Sequence, residues 1–147
     1  FITWIYAHQR LPTKVRLSKF HPQITLCSLC QLEEEDDKHV LFSCPYAQEV
    51  WQGINAWWQY SINQARHNMS SYLSEIKGPQ AQKSITMAIY AASIYYLWYA
   101  RNKRIFQSKH IPSSQTIRTI KEQVRHRILF LNQFSQKYSS YIDTLLL

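Results

Sequence analysis

Apolar residues recur at three- and four-residue steps through most of this chain, and this period predicts helices rather than strands. Pro45 stands at the first position of one such helix, where its missing N–H costs no hydrogen bond. Ser113 or Ser114 is expected to cap the last long helix. The apolar positions are Tyr46, Val50, Trp51, Ile54, Trp57 and Trp58 in the first of these helices, and Ile117, Ile120, Val124, Ile128 and Leu131 in the second.

The longest predicted helix covers residues 83–106, and its residues 84–100 carry no charge. A membrane-spanning helix needs about 20 predominantly apolar residues. This uncharged stretch is shorter, and it contains four tyrosines, two serines and a threonine. We therefore interpret it as the central core helix.

Two short helices are predicted near the start of the chain, over residues 3–10 and, from a cap at Thr13, through Phe20. Only two of the 147 residues are glycine, and 46% are hydrophobic. This composition predicts a folded, mostly α-helical chain. We expect a single domain over residues 1–147, in which residues 63–82 form a polar connection between residues 1–62 and residues 83–147.

Three cysteines and one histidine stand close together as Cys27-x2-Cys30-x8-His39-x4-Cys44. Thiolate and imidazole are preferred ligands of tetrahedral Zn²⁺, and a Cys3His set is a usual structural site. The two-residue spacer lets a tight turn bring two sulfurs to one metal. Residues 40–42 are predicted to form a short extended stretch before the next helix. The pattern therefore predicts one structural zinc ion that staples the helical domain.

The cysteines could also have other roles. A redox dithiol sits at a helix N-terminus after a strand, whereas Cys30 is followed by the acidic run of residues 33–37, which would raise a thiol pKa. A disulfide framework calls for an even number of cysteines, and this chain has three. Buried, inert cysteines are a further alternative.

We interpret the acidic run of residues 33–37 as a solvated loop, and a second metal site in this run is the alternative.

The formal charge of +8 is unevenly distributed. Residues 1–73 carry six Lys or Arg and six Asp or Glu, whereas residues 74–147 carry eleven against three. Such an excess is typical of a polyanion binder, although it would also suit an acidic protein or a membrane surface. The cations that we expect to bind phosphate are Arg101, Lys103, Arg104, Lys109, Arg118, Lys121 and Arg125.

Several short blocks, taken in order, carry a resemblance to a known family. They are Leu11-Pro12-Thr13-Lys14, Cys27-Ser28-Leu29-Cys30, His39-Val40-Leu41-Phe42-Ser43-Cys44-Pro45 with Val50-Trp51, and Ala100-Arg101-Asn102-Lys103-Arg104-Ile105-Phe106. Over about residues 1–132 the chain resembles the zinc-binding domain that follows the reverse transcriptase in plant LINE-type retrotransposon polyproteins. The resemblance implies a helical module, with zinc on Cys27, Cys30, His39 and Cys44, that helps its polymerase to hold template RNA or target DNA.

Two functions are consistent with the sequence. The first is a nucleic-acid-binding zinc module, accessory to a reverse transcriptase or another ribonucleoprotein, that holds RNA or DNA mainly through phosphates. The alternative is a zinc-stapled scaffold that docks onto a protein partner, with Trp57, Trp58 and the Tyr95-Tyr96 pair as interface anchors. No motif assembles a nucleophile, a base and an orienting group, so we expect no enzymatic activity.

The chain begins at Phe1 without a charged leader or a cleavage site, so we expect it to be a piece of a longer polypeptide. We expect an intracellular location and no membrane partner. The nucleus or cytoplasm is favoured, or an organelle if a transit segment was removed.

Overall fold

The computed structural model describes residues 2–60, 62 and 74–147, and within these ranges the chain is mostly α-helical. The helices are α1 (Ile2–Ala7), α2 (Lys14–Ser18), α3 (Pro45–Trp57), α4 (Gln80–Gln107), α5 (Ser113–Ser135) and α6 (Ser139–Leu146), and a π-helical turn (His39–Ser43) precedes α3. The described residues form no strand, only an isolated antiparallel bridge between Leu26 and Glu34. The predicted α-helical fold with a long central helix is confirmed. Of the predicted connection, residues 63–73 lie outside the described residues.

Local hydrogen bonding explains where several helices begin and end. The N–H of Arg16 donates to Oγ1 of Thr13 at 3.4 Å, so Thr13 caps α2 as predicted. Pro45 opens α3, also as predicted. The residue before α5 is Pro112, so the prediction that Ser113 or Ser114 caps that helix is wrong. Proline suits this end because its fixed φ leads directly into the helix.

The predicted extended stretch at residues 40–42 is also wrong, because these residues lie in the π-helical turn. The carboxylate of Asp36 accepts the N–H of His39 at 2.6 Å, and the carbonyl of Asp36 accepts the N–H of Val40 at 3.1 Å. These bonds cap a helical turn before the apolar run begins. Val40, Leu41 and Phe42 then point into the core.

Helix α4 is the centre of the core and packs against α1, α3, α5 and the π-helical turn. The uncharged stretch predicted to be a core helix buries Ile85, Ile89 and Leu97 completely. No helix within the described ranges combines the length and the apolar character needed to cross a membrane.

Helix α3 connects the π-helical turn to the rest of the core through two buried tryptophans. The indole N–H of Trp51 donates to the carbonyl of Leu41 at 2.8 Å, and that of Trp58 donates to Thr86 Oγ1 of α4 at 3.0 Å. At Gly53, α3 and α5 approach closely, since a Cβ there would lie 2.5 Å from Ile117 Cδ1. The cysteine-rich segment is therefore attached to a rigid core through α3.

Candidate metal centre

The four predicted zinc ligands come together at one point. Their ligand atoms all lie within 4.8 Å of one another. Sγ of Cys27 is 3.9 Å from Sγ of Cys44, and Sγ of Cys30 is 3.3 Å from Nε2 of His39. Two sulfurs on a tetrahedral zinc, each about 2.3 Å from the metal, are separated by about 3.8 Å. The donor types and spacings therefore fit one zinc ion in a Cys3His site.

A tight hairpin presents the first two ligands. The N–H of Gln31 donates to the carbonyl of Cys27 at 2.9 Å, and the N–H of Cys27 donates to the carbonyl of Glu33 at 2.7 Å. Gln31 has a φ of 61°, the left-handed conformation that reverses the chain after Cys30. The N–H of Leu29 also points at Sγ of Cys27, at 3.4 Å. Cys27 and Cys30 thus project from the same side of the turn.

The π-helical turn presents the other two ligands. The N–H of Cys44 donates to the carbonyl of His39 at 2.8 Å, a bond that spans five residues. In an α-helix, positions five apart differ by about 140° around the axis, and their side chains diverge. The wider π turn reduces this angle, so His39 and Cys44 can reach the same metal. Because Cys44 also precedes α3, the metal centre is coupled to the core.

The imidazole of His39 is oriented by polar groups on its far side. Nδ1 lies 3.3 Å from a carboxylate oxygen of Glu33 and 3.3 Å from Oγ of Ser43. A histidine that binds zinc through one nitrogen usually donates its other N–H to such an acceptor. These contacts match Nε2 as the ligand atom. Sequence reasoning gave Glu33 no such role, because nothing in the acidic run distinguishes one carboxylate from the next.

The two buried thiols differ in acidity. The hydrogen bond with Cys44 lowers the pKa of the Cys27 thiol to about 5, and the N–H groups of Cys30 and Leu29 act in the same direction. The same contact raises the pKa of the Cys44 thiol well above its usual value. A bound Zn²⁺ would favour the thiolate form of both. All three cysteines are free thiols.

Glu35 of the acidic run is completely buried, which corrects the interpretation of this run as solvated. Its Oε1 accepts hydrogen bonds from Nε and Nη2 of Arg101, at 3.1 and 2.5 Å. It also accepts the N–H of Lys14 at 3.1 Å, while Oε2 accepts the N–H of Ser28 at 3.0 Å. One carboxylate therefore connects α2, the cysteine hairpin and α4.

Arg101 is correspondingly unsuited to the phosphate-binding role predicted for it. Only 3% of its surface is exposed, and its Nη2 also donates to the carbonyl of Pro12 at 3.3 Å. Its guanidinium lies 4.5 Å from the ring centroid of Trp98. This position corrects the prediction, since the charge of Arg101 is already neutralised by Glu35.

The other six predicted phosphate-binding cations lie at the surface or partly buried. Arg104, Lys109 and Arg118 are exposed, and Lys103, Lys121 and Arg125 are partly buried. Lys121 and Arg125 lie over the ring of Trp57, at 5.5 and 5.6 Å from its centroid. Their role in binding stays a prediction.

Two of the predicted interface anchors are in the core. Trp57 is 7% exposed and Trp58 is completely buried, so neither presents a face to a partner. The prediction failed because tryptophans at helical spacing fill cores and interfaces equally well. Tyr95, by contrast, is 46% exposed.

Comparison with known proteins supports the metal centre. No curated protein and no solved structure matches the chain. One family model matches its N-terminal third, a region that contains α1, α2, all four predicted ligands and the first part of α3. Residues 1–51 match the family described as zinc-binding in reverse transcriptase, a zinc-binding domain associated with reverse transcriptases.

Proposed function

We propose that this chain is a nucleic-acid-binding module, organised by one structural zinc ion, that serves a reverse transcriptase or a related ribonucleoprotein. The observation that carries the proposal is the charge of residues 74–147, eleven Lys or Arg against three Asp or Glu. The family whose model matches residues 1–51 is associated with reverse transcriptases, and this supports the second part of the proposal. A retrotransposon origin and a nuclear or cytoplasmic location are part of the same proposal.

Two groups of cations are available to bind phosphate. Lys103 and Arg104 lie in the last turns of α4, and Lys109 follows that helix. Arg118, Lys121 and Arg125 lie along α5. Within the described ranges, none of these six forms an ion pair with a carboxylate, unlike Arg101. Their charges are therefore free to replace the counterions of a nucleic-acid backbone.

The pair on α5 favours an anionic ligand in particular. Burial lowers the pKa of Lys121, and the neighbouring Arg125 lowers it further. Two cations that repel one another are stabilised when an anion binds. The cysteine hairpin and the residues that follow it carry negative charge instead, because Glu33, Glu34 and Asp36 are exposed there. We therefore assign nucleic-acid binding to α4 and α5, and a structural role to the cysteine hairpin.

Replacing Lys103, Arg104 and Lys109 together by Ala is expected to weaken binding to RNA and DNA without regard to base sequence. Each lost phosphate contact should flatten the dependence of log K on log salt concentration by about 0.7 to 0.9. The measurement is a fluorescence-anisotropy titration at several salt concentrations. The triple variant should have a slope smaller by about two to three units.

The matched control removes the same charge from the balanced part of the chain. Arg10, Lys19 and Lys38 are all exposed, and their replacement by Ala should change the affinity far less. Equal losses in the two triple variants would reduce the proposal to a net-charge effect. Salt-independent binding, or no binding by the wild type, would contradict it and favour the protein-docking scaffold.

We further propose that the chain has no catalytic activity of its own. Three thiols and one imidazole complete a tetrahedral set without a position for water or substrate. Incubation with labelled RNA, DNA and nucleotides in the presence of Mg²⁺ or Mn²⁺ should give no cleavage and no extension. Metal-dependent cleavage that disappeared when Asp36 and Asp37 were changed to Asn would contradict this.

A further inference from the structure

A groove of about 770 Å³ lies between α4 and α5, beside α1. Its volume is within the range of about 300 to 1,000 Å³ that is usual for ligand pockets. The α4 side includes three alanines in succession along one face, Ala88, Ala91 and Ala92, followed by Tyr95 and Tyr96. Small side chains followed by aromatic rings leave an open space with a flat apolar wall.

The aromatic wall continues along the exposed face of α4. Tyr95 and Tyr99 are 46% and 39% exposed, and their rings are nearly parallel, at 18°, with centroids 6.4 Å apart. Nζ of Lys103 lies 5.1 Å from the centroid of Tyr99. Flat rings with an adjacent cation at solvent-exposed positions are the elements of a base-stacking surface.

The α5 side of the groove supplies charge. Arg127 is exposed and lines the groove together with Gln123. The described residues that line the groove include no Asp or Glu. Arg127 was not among the predicted phosphate-binding residues, because the sequence does not show that this position of α5 borders a groove beside α4.

We propose that this groove binds the unpaired bases of single-stranded nucleic acid. The proposal rests on the proposed function and adds the strand class and the residues. Tyr95 stacks on a base, the alanine wall leaves room for a second, and the guanidinium of Arg127 pairs with a backbone phosphate. Tyr99 and Lys103 continue this path toward the end of α4.

The geometry favours a single strand over the other polyanions. In a duplex both faces of each base are covered by neighbouring pairs, so only unpaired bases can stack on a side chain. An acidic peptide would satisfy Arg127, but it would leave the aromatic faces of Tyr95 and Tyr99 without planar partners. The combination of planar aromatic rings, small apolar residues and an unpaired cation matches the combination of base and phosphate.

The test compares a single-stranded oligonucleotide carrying 2-aminopurine with a duplex of the same sequence, bound to the whole chain. Tyr95→Leu keeps an apolar side chain but removes the stacking ring. It should weaken single-strand binding about tenfold and relieve the quenching of 2-aminopurine. Tyr95→Phe, which keeps the ring, should retain both the affinity for single strands and the quenching of 2-aminopurine. Ala92→Leu, which fills the groove with a good helix former, should weaken single-strand binding while leaving duplex binding unchanged.

Phe20→Leu is the matched control, since this aromatic residue is 72% exposed and lies outside the groove. It should behave as the wild type. A wild-type chain that binds neither strand form overturns both this proposal and the proposed function. A wild type that binds nucleic acid, with Tyr95→Leu and Ala92→Leu unchanged for single strands, overturns the groove assignment alone and leaves the groove to a protein occupant.

Discussion

Replacing Cys27 by Ser is expected to abolish stoichiometric zinc binding and to disorder the segment from residue 24 to residue 44, while α4 and α5 stay helical. Cys27 is completely buried, and its sulfur is 3.9 Å from that of Cys44. A hydroxyl is a poor substitute for a thiolate as a zinc ligand. Without zinc, the hairpin loses its link to His39 and Cys44, and its remaining hydrogen bonds to α2 and α4 are centred on Glu35.

The expected loss of unfolding free energy is several kcal/mol. Zinc contributes about 10 to 16 kcal/mol to the folding of zinc-finger peptides, which have almost no other core. Here only part of that amount is at stake, because α3, α4 and α5 bury their own apolar residues, such as Trp51 and Tyr90. The variant should therefore lose stability without becoming fully unfolded.

Metal analysis and amide hydrogen exchange measure the two effects separately. The control is Ser28→Ala in the same turn, because this change leaves all four ligand residues in place and keeps the N–H of residue 28 that donates to Glu35. This control should retain zinc and full protection. Stoichiometric zinc and wild-type protection in Cys27→Ser, or no zinc in the wild type, would refute the assignment of the metal centre.

The zinc ligands could be predicted from the sequence because residue type and spacing largely determine them. Cysteine and histidine have few other reasons to occur as Cys27-x2-Cys30-x8-His39-x4-Cys44. The conformation between His39 and Cys44 could not be predicted. A short apolar run such as residues 40–42 suits a buried strand and a buried helical turn equally well. The choice depends on the Asp36 cap and on two ligands reaching one metal.

The buried ion pair of Glu35 and Arg101 could not be predicted from the sequence for a different reason. Charged residues are almost never fully buried unless they are paired, so the sequence alone predicts that both residues lie at the surface. The two residues lie 66 positions apart in the sequence, and no local pattern connects them. The blocks that carried the family resemblance gave an indirect signal. Leu11-Pro12-Thr13-Lys14 and Ala100-Arg101-Asn102 meet in the structure, where Pro12 and Lys14 share hydrogen bonds with this ion pair.

Replacing Glu35 by Ala is expected to lower the free energy of unfolding by about 3 to 5 kcal/mol. The variant leaves the guanidinium of Arg101 buried without its counter-ion, and it also leaves the N–H groups of Lys14 and Ser28 without an acceptor. Arg101→Met should lower the free energy of unfolding by a similar amount, because it leaves the carboxylate of Glu35 buried without a counter-ion. Urea denaturation of zinc-loaded protein measures both.

The double variant, Glu35→Ala with Arg101→Met, tests whether the two charges stabilise the protein as a pair. Once both charges are gone, no uncompensated ion is left in the core, so the double variant should lose less stability than the sum of the two single changes. Glu34→Ala is the control, since Glu34 is exposed beside Glu35, and it should change stability by less than about 1 kcal/mol. Additive losses would show that the pair does not act as a unit.

The pH dependence gives the same pair a second signature. Burial by itself would raise the pKa of Glu35, but hydrogen bonds and the positive charge of Arg101, with the N–H of Ser28, hold it below its usual value. A carboxylate whose pKa is lowered in the folded state stabilises that state above its unfolded pKa, about 4.3 for Glu. That stabilisation disappears as the pH falls through the lower, folded pKa.

The free energy of unfolding of the wild type should therefore exceed that of Glu35→Gln by a constant amount above about pH 5, and the difference should narrow in more acidic solution. Because zinc binding itself weakens in acid, the two proteins are compared over the pH range in which metal analysis shows that both keep their zinc. A difference that stayed constant down to the acid unfolding of the wild type would contradict an ionised Glu35 in the core.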